Sequence, residues 1–292
     1  MTEPLAYMQR TRDWYLALGY GNPYEWAHHD DVPFSGLGRP IADSRVALVT
    51  TAALFQPGKG DQGPGAAYNG AAKFHDIWSH PTSPAPDVRI SHIAYDRTHT
   101  TARDPRTWFP LEALKQAEHT GRIGSLTTRV YGFPTNRSQR TNTEKDAPAL
   151  LEALADEGTQ AAVLVANCPV CHQSLSLAAR HLEAAGIATV IMGCAKDIVE
   201  HCGVPRFVFS DFPLGNAAGR PFDEASQHFT LGLALSALDI VARPRTTLVS
   251  PLAWKAGDDS WKDDYSNPAK LSAAELARRR AEFDAAKKAV TA

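Results

Sequence analysis

From about residue 143 onward, apolar runs and helix-period stretches alternate. "APALLEALADEG" (147–158) has Pro148 in its first turn and Gly158 as its stop, which predicts a helix. "TQAAVLVAN" (159–167) is an apolar run of strand length. The alternation continues with a helix over 172–186, a strand over 187–193, a short helix over 196–203, a strand over 206–212 and a long apolar helix over 222–241. Strands separated by helices predict right-handed βαβ units around a parallel sheet.

The preceding stretch carries a second, less regular α/β pattern. "SRVALVTTAAL" (44–54) is a β-branched run that predicts a buried strand, and "DVRISHIAYD" (87–96) predicts another. Between them "FQPGKGDQGPGAAYNG" (55–70) is too rich in Gly and Pro for regular structure. "FPLEALKQAEHTGRIGSL" (109–126) predicts a helix closed by Gly121. The expected fold is α/β, with two Rossmann-like (flavodoxin-like) parallel-sheet halves. An N-terminal arm (1–44) with a short helix near 9–18 precedes a first α/β domain (45–142). A second (143–245) and a C-terminal extension (246–292) follow, the extension holding a helix opened by Ser272 and Glu275.

Composition narrows the function classes. The formal charge of −2 gives no basic field for nucleic acid or an anionic membrane. The longest apolar stretch, 229–242, falls short of the ~20 residues a membrane span needs. The N-terminus lacks the cationic start and apolar core of a signal peptide. Four cysteines do not make a disulfide scaffold, so a cytoplasmic protein with reduced thiols is expected.

The chemistry concentrates at "NCPVCHQ", where Cys168 and Cys171 follow one predicted strand and open the next helix. That position is the carboxyl edge of a parallel sheet, where open α/β folds put their chemistry. A helix N-terminus stabilises anions and lowers a thiol's pKa from ~8.5 toward neutrality. Cys168 as nucleophile and Cys171 as resolving thiol is one reading. A zinc or iron site made with Cys194, at the end of the next strand, is another, and two small core residues a third. Cys202 reads as structural. His92, Tyr95 and Asp96 form a second polar group; His92 there suits a general acid, and Asp96 a group that orients it or binds a cation. His172, Tyr95, Ser125, Phe212 and Gly215 are candidates to face substrate.

These motifs resemble the selenoprotein B subunits of the glycine, sarcosine, betaine and D-proline reductases, in particular the D-proline-reductase-like branch. Members of that family often carry selenocysteine–Pro–Val–Cys–His where this chain has Cys168–His172. The likeness extends to "RVALVTTAAL", to the Ser91-His92-x-x-Tyr95-Asp96 pattern, to the Phe-Pro-Leu helix at 109 and to "PRFVFSDFPLGNAAGRP" (205–221). It implies reductive cleavage of a small nitrogen- or sulfur-containing substrate, with Cys168 in the selenocysteine place and Cys171 in the resolving place. No tightly bound cofactor is then expected, and an external thiol system supplies electrons. Sulfur is a poorer nucleophile than selenium, and no part of the chain resembles the partner subunit that supplies a pyruvoyl group. The alternatives are a metal-dependent lyase or hydrolase, a cofactor-free racemase or isomerase, and a non-catalytic subunit of a reductase complex. A homo-oligomer is open as well.

Overall fold

The computed structural model describes residues 3–22, 24–90, 92 and 94–291. In chain order its strands are β1 (Arg45–Thr50), β2 (Ala53–Leu54), β3 (Trp78–Pro81), β4 (Val88–Arg89) and β5 (Ser125–Leu126). They continue with β6 (Arg129–Gly132), β7 (Ala161–Val165), β8 (Ala188–Gly193), β9 (Arg206–Phe209) and β10 (Thr246–Val249). The helices are α1 (Tyr7–Ala17), α2 (Leu111–His119), α3 (Gln139–Thr141), α4 (Ala147–Asp156), α5 (Pro169–Ala184), α6 (Lys196–Cys202), α7 (Glu224–Ile240), α8 (Trp261–Asp264) and α9 (Ala273–Thr291). A π turn over Asn142–Asp146 joins α3 to α4.

Eight strands form one sheet in the order β10-β9-β8-β7-β1-β6-β3, with β5 also paired to β1. Only β3 runs antiparallel, against β6. Side chains alternate across the pleat. Val46, Leu48, Val163, Val165, Val190 and Met192 face a core shared with α2 and α7. Ala47, Val49, Ala162, Leu164 and Ile191 face another, shared with α4 and α5. A parallel strand covered on both sides is apolar at nearly every position, so β1, β7 and β8 read as near-continuous apolar runs.

The expectation of two separate sheet halves is corrected here. β1 finds its longest partner in β7, in register from Val46 opposite Ala161 to Thr50 opposite Val165. Strands from both predicted halves therefore share one sheet, which buries both faces of β1. The strand expected over 87–96 shrinks to Val88–Arg89, paired with β2. Beyond it, the Asp96 carboxylate accepts the backbone N–H groups of Thr98 and His99, which holds the chain in a turn. The helix expected over 109–126 occupies only Leu111–His119, and Gly121 follows with φ +70°.

The N-terminal arm runs along α5. The Ala27 N–H donates to the Gln173 side chain at 2.7 Å, and Ser35 Oγ donates to the Glu183 carbonyl at 2.9 Å. Glu183 also pairs with Arg206 at 2.8 Å, both wholly buried. Among the described residues, no helix is long and apolar enough to cross a membrane.

Candidate active site

β1 and β7 are neighbours whose onward connections diverge. The chain leaving β1 reaches α2 on one face of the sheet, and the chain leaving β7 enters α5 on the other. In open α/β sheets such a switch point, beyond the carboxyl ends of the two strands, is where ligands bind. Here the strand ends are stapled by polar groups. The Thr51 N–H donates to the Val165 carbonyl at 3.2 Å. Thr51 Oγ1 accepts the Asn167 backbone N–H at 3.2 Å and the Asn167 side-chain amide at 3.0 Å.

The next residue is Cys168, the N-cap of α5, in extended conformation with Pro169 at the first helical position. Proline fits there because it has no N–H to leave unpaired and its φ is already helical. The spacing of three puts Cys171 one turn on, where its N–H donates to Cys168 Sγ at 3.3 Å. The two sulfurs are joined as a disulfide, with the Cα atoms 4.9 Å apart. Thr135, in the loop after β6, sets its hydroxyl 3.3 Å from Cys171 Sγ. Both cysteines are buried, Cys168 at 3% and Cys171 at 0% exposure.

His92 arrives from the loop after β4. One ring nitrogen lies within 4.8 Å of both sulfurs. Part of the residue is exposed, yet Nδ1 is sealed from solvent and has no hydrogen-bond partner. Burial, then the nearby Arg97 and Lys73 cations, push its pKa down to about 4, against a backbone hydrogen bond to Thr51. The ring is therefore neutral at pH 7. Arg97 ties this segment to the glycine-rich loop, donating to the His92 carbonyl at 2.6 Å and the Ala66 carbonyl at 3.1 Å. Lys73, at the end of that loop, has a lowered pKa through burial and Arg137.

The remaining predicted residues lie elsewhere. His172 is wholly buried and spans α5 and the β8–α6 connection. A carbonyl can only accept, so Nδ1–H donates to the Cys168 carbonyl at 2.7 Å. Nε2 then accepts the N–H groups of Cys194 and Ala195 at 2.9 and 3.1 Å. No ring nitrogen is left for a substrate, and the residue works as a brace. A Cβ on Gly193 would sit 2.6 Å from this ring, which explains the glycine.

Asp96 is not joined to the sulfurs. It pairs with His99 at 3.0 Å, and His99 in turn reaches Asp264 at 3.3 Å. Tyr95 is buried beneath Arg97, whose guanidinium lies 4.3 Å from the ring centroid. Ser125 pairs with Arg45 at the amino end of β1. That is the opposite edge of the sheet, five strand residues or roughly 17 Å from Thr50. Phe212 is core, packed on Trp254. Gly215 has φ +104° and meets Thr100, and its carbonyl accepts from Thr107. Both hold backbone.

Cys194 does not complete a metal set. Its side chain belongs to the core on the other face of the sheet, and burial pushes the thiol pKa well up. His92, Cys168 and Cys171 take its place as the one group among the described residues able to hold a metal. Thr51, Lys73, Arg97, Thr135 and Asn167 were not anticipated. Only Thr51 and Asn167 left a signal, as polar residues ending apolar strands.

The chain is similar to subunits of amino-acid reductases. The chain is 29% identical over 184 residues to the D-proline reductase subunit gamma of Acetoanaerobium sticklandii, covering 63% of this chain and 73% of that one. It is 26% identical to the glycine reductase complex component B subunit gamma of Carboxydothermus hydrogenoformans, over 67% of this chain and 45% of that one. It is 23% identical to the sarcosine reductase complex component B subunit beta of Peptoclostridium acidaminophilum, over 65% and 44%. It thus spans under half the length of those two relatives. No solved structure matches significantly. The family model for glycine/sarcosine/betaine reductase selenoprotein B matches residues 19–167, ending one residue before Cys168. That match covers just over half of the chain, and the protein belongs to the glycine/sarcosine/betaine reductase selenoprotein B family.

Proposed function

We propose that this chain is a thiol-dependent reductase of the amino-acid-reductase type, with Cys168 as nucleophile and Cys171 as resolving thiol. The observation that carries the reading is the Cys168–Cys171 pair on the first turn of α5, at the switch point of the sheet. The names of its relatives, subunits of D-proline, glycine and sarcosine reductases, support a role within a reductase complex.

In the reduced site, the α5 N-terminus and the Cys171 N–H favour a Cys168 thiolate. It attacks the carbon bearing the nitrogen or sulfur leaving group, forming a C–S bond as that group departs with the bonding pair and takes a proton. Cys171 then attacks Cys168 Sγ, the C–S bond breaks toward carbon, and the carbon takes a proton. The substrate gains two electrons and the dithiol becomes a disulfide, which an external thiol donor reduces. Neutral His92 hydrogen-bonds the leaving group. Lys73 has no ion-pair partner among the described residues and, with Arg97, suits a substrate carboxylate. The buried sulfurs require the loop tied by Arg97 to open before substrate enters.

The test is Cys171→Ser incubated with candidate amino acids and N-methyl amino acids, followed by intact-protein mass. An adduct that maps to Cys168 and persists is the expected result. Full multiple-turnover activity in that variant sinks the resolving role, and an adduct retained in Cys168→Ser sinks the nucleophile.

A further inference from the structure

We propose that the dithiol form of this site binds zinc, with Cys168 Sγ, Cys171 Sγ and a ring nitrogen of His92 as three ligands and the fourth position open. Metal capture and disulfide formation are then alternative states of the same two sulfurs.

Three observations carry this. The ligand atoms of the three residues lie within 4.8 Å of one another. Tetrahedral zinc places sulfur and nitrogen ligands roughly 3.5–3.8 Å apart, so small side-chain rotations are sufficient once the disulfide is opened. Second, His92 Nδ1 is buried without a partner, while the other buried histidine at this edge uses both nitrogens. Third, the groups that orient metal-bound thiolates are already in place. The Cys171 N–H donates to Cys168 Sγ, and the Thr135 hydroxyl sits 3.3 Å from Cys171 Sγ.

Charge favours zinc over two bare thiolates. Two buried thiolates are expensive to desolvate, whereas two thiolates, one neutral imidazole and Zn²⁺ sum to zero. Lys73 and Arg97 nearby oppose a net positive complex, and this set does not form one. The open fourth position is that of catalytic zinc sites, since closed structural sites use four protein ligands. Cys194 stays outside the set, in the core on the opposite face. The balance is simple. Reduction brings two electrons and two protons to the disulfide, and one Zn²⁺ then replaces the two thiol protons.

The experiment uses the full chain, reduced anaerobically with a phosphine and titrated with Zn²⁺ against a chromophoric chelator. Co²⁺ absorption reports thiolate ligation and tetrahedral geometry in parallel. One equivalent is expected in the reduced protein and at least about 100-fold weaker binding in the disulfide form. Cys168→Ser and Cys171→Ser lose the cobalt–thiolate band. His92→Ala binds about 10- to 100-fold more weakly with an altered cobalt spectrum, and Cys194→Ser is unchanged. Equal binding by oxidised and reduced protein, absence of a stoichiometric site, or an unaltered His92→Ala spectrum each overturns the proposal. No turnover is assayed, so failure here leaves the reductase reading intact, and a trapped Cys168 adduct says nothing about zinc.

Discussion

Two histidines reach the carboxyl edge of the sheet, carried by regions built in opposite ways. His172 grows from the first turn of α5, is wholly buried, and spends both ring nitrogens on backbone groups of two neighbouring elements. His92 comes from an irregular loop and ends beside the sulfurs with one nitrogen unpartnered. Both rings are held neutral, with pKa values pushed down to about 4 by burial. The difference lies in satisfaction: a fully bonded ring is structural, and a buried ring with a spare nitrogen is available for chemistry.

Stability should separate the two regions most sharply. In His172→Ala, the Cys194 and Ala195 N–H groups lose their acceptor and a cavity opens beside Gly193. We expect a loss of about 3–5 kcal/mol in urea unfolding. His92→Ala should cost about 1 kcal/mol or less, since it breaks little bonding. Equal losses would erase the contrast. Acid probes the burial that the two rings share. An unfolded histidine binds a proton below pH ~6.5, whereas folded His172 refuses one until about pH 4. The unfolded state therefore holds more protons across that window, and stability falls as pH falls. Relative to His172→Gln, the wild type should lose on the order of 3 kcal/mol between pH 7 and pH 4. A difference that does not vary with pH would show that His172 titrates normally.

The same contrast separates what is legible in the sequence from what is not. The second half was legible because β7, β8 and α5 are buried on both faces or stand at a helix start. Their apolar runs, and the Cys168–Pro169 opening of α5, are written locally. The loop carrying His92 reads as a strand in the sequence because its fold depends on Asp96 capturing backbone N–H groups and on Arg97 bridging distant loops. Neither leaves a period in the sequence. Ser91, part of the motif singled out there, lies outside the described residues. Short β3 and β6, four residues each, carry too little pattern to register. The sequence groups His92 and Asp96, four apart, as one site; the turn that follows Asp96 pairs it with His99 instead.

The loop side should also respond to loss of its tie. Arg97→Ala removes the donor to the His92 and Ala66 carbonyls, while α5 and its packing stay intact. Opening of the glycine-rich loop then costs roughly 1–1.5 kcal/mol less, and alkylation of the reduced cysteines should speed up about tenfold. If labelling keeps its wild-type rate, the route to the sulfurs does not pass beneath this loop.

The smallest effect tests a contact between the two regions. Thr135 leaves β6 on the first half of the chain and places its hydroxyl 3.3 Å from Cys171 Sγ on the second. Once the disulfide is reduced, a thiol at Cys171 can donate to Oγ1, but a thiolate must accept from it, and the charged bond is the stronger. Thr135→Val keeps the β-branched shape and removes the donor, so the thiolate loses more than the thiol. Near neutral pH the reduced pair should react with iodoacetamide about two- to fivefold more slowly, with stability within about 1 kcal/mol of wild type. Measured together with Cys168→Ser, which isolates Cys171, an unchanged rate would mean that Thr135 only fills space, and that the resolving thiol takes its reactivity from α5 alone.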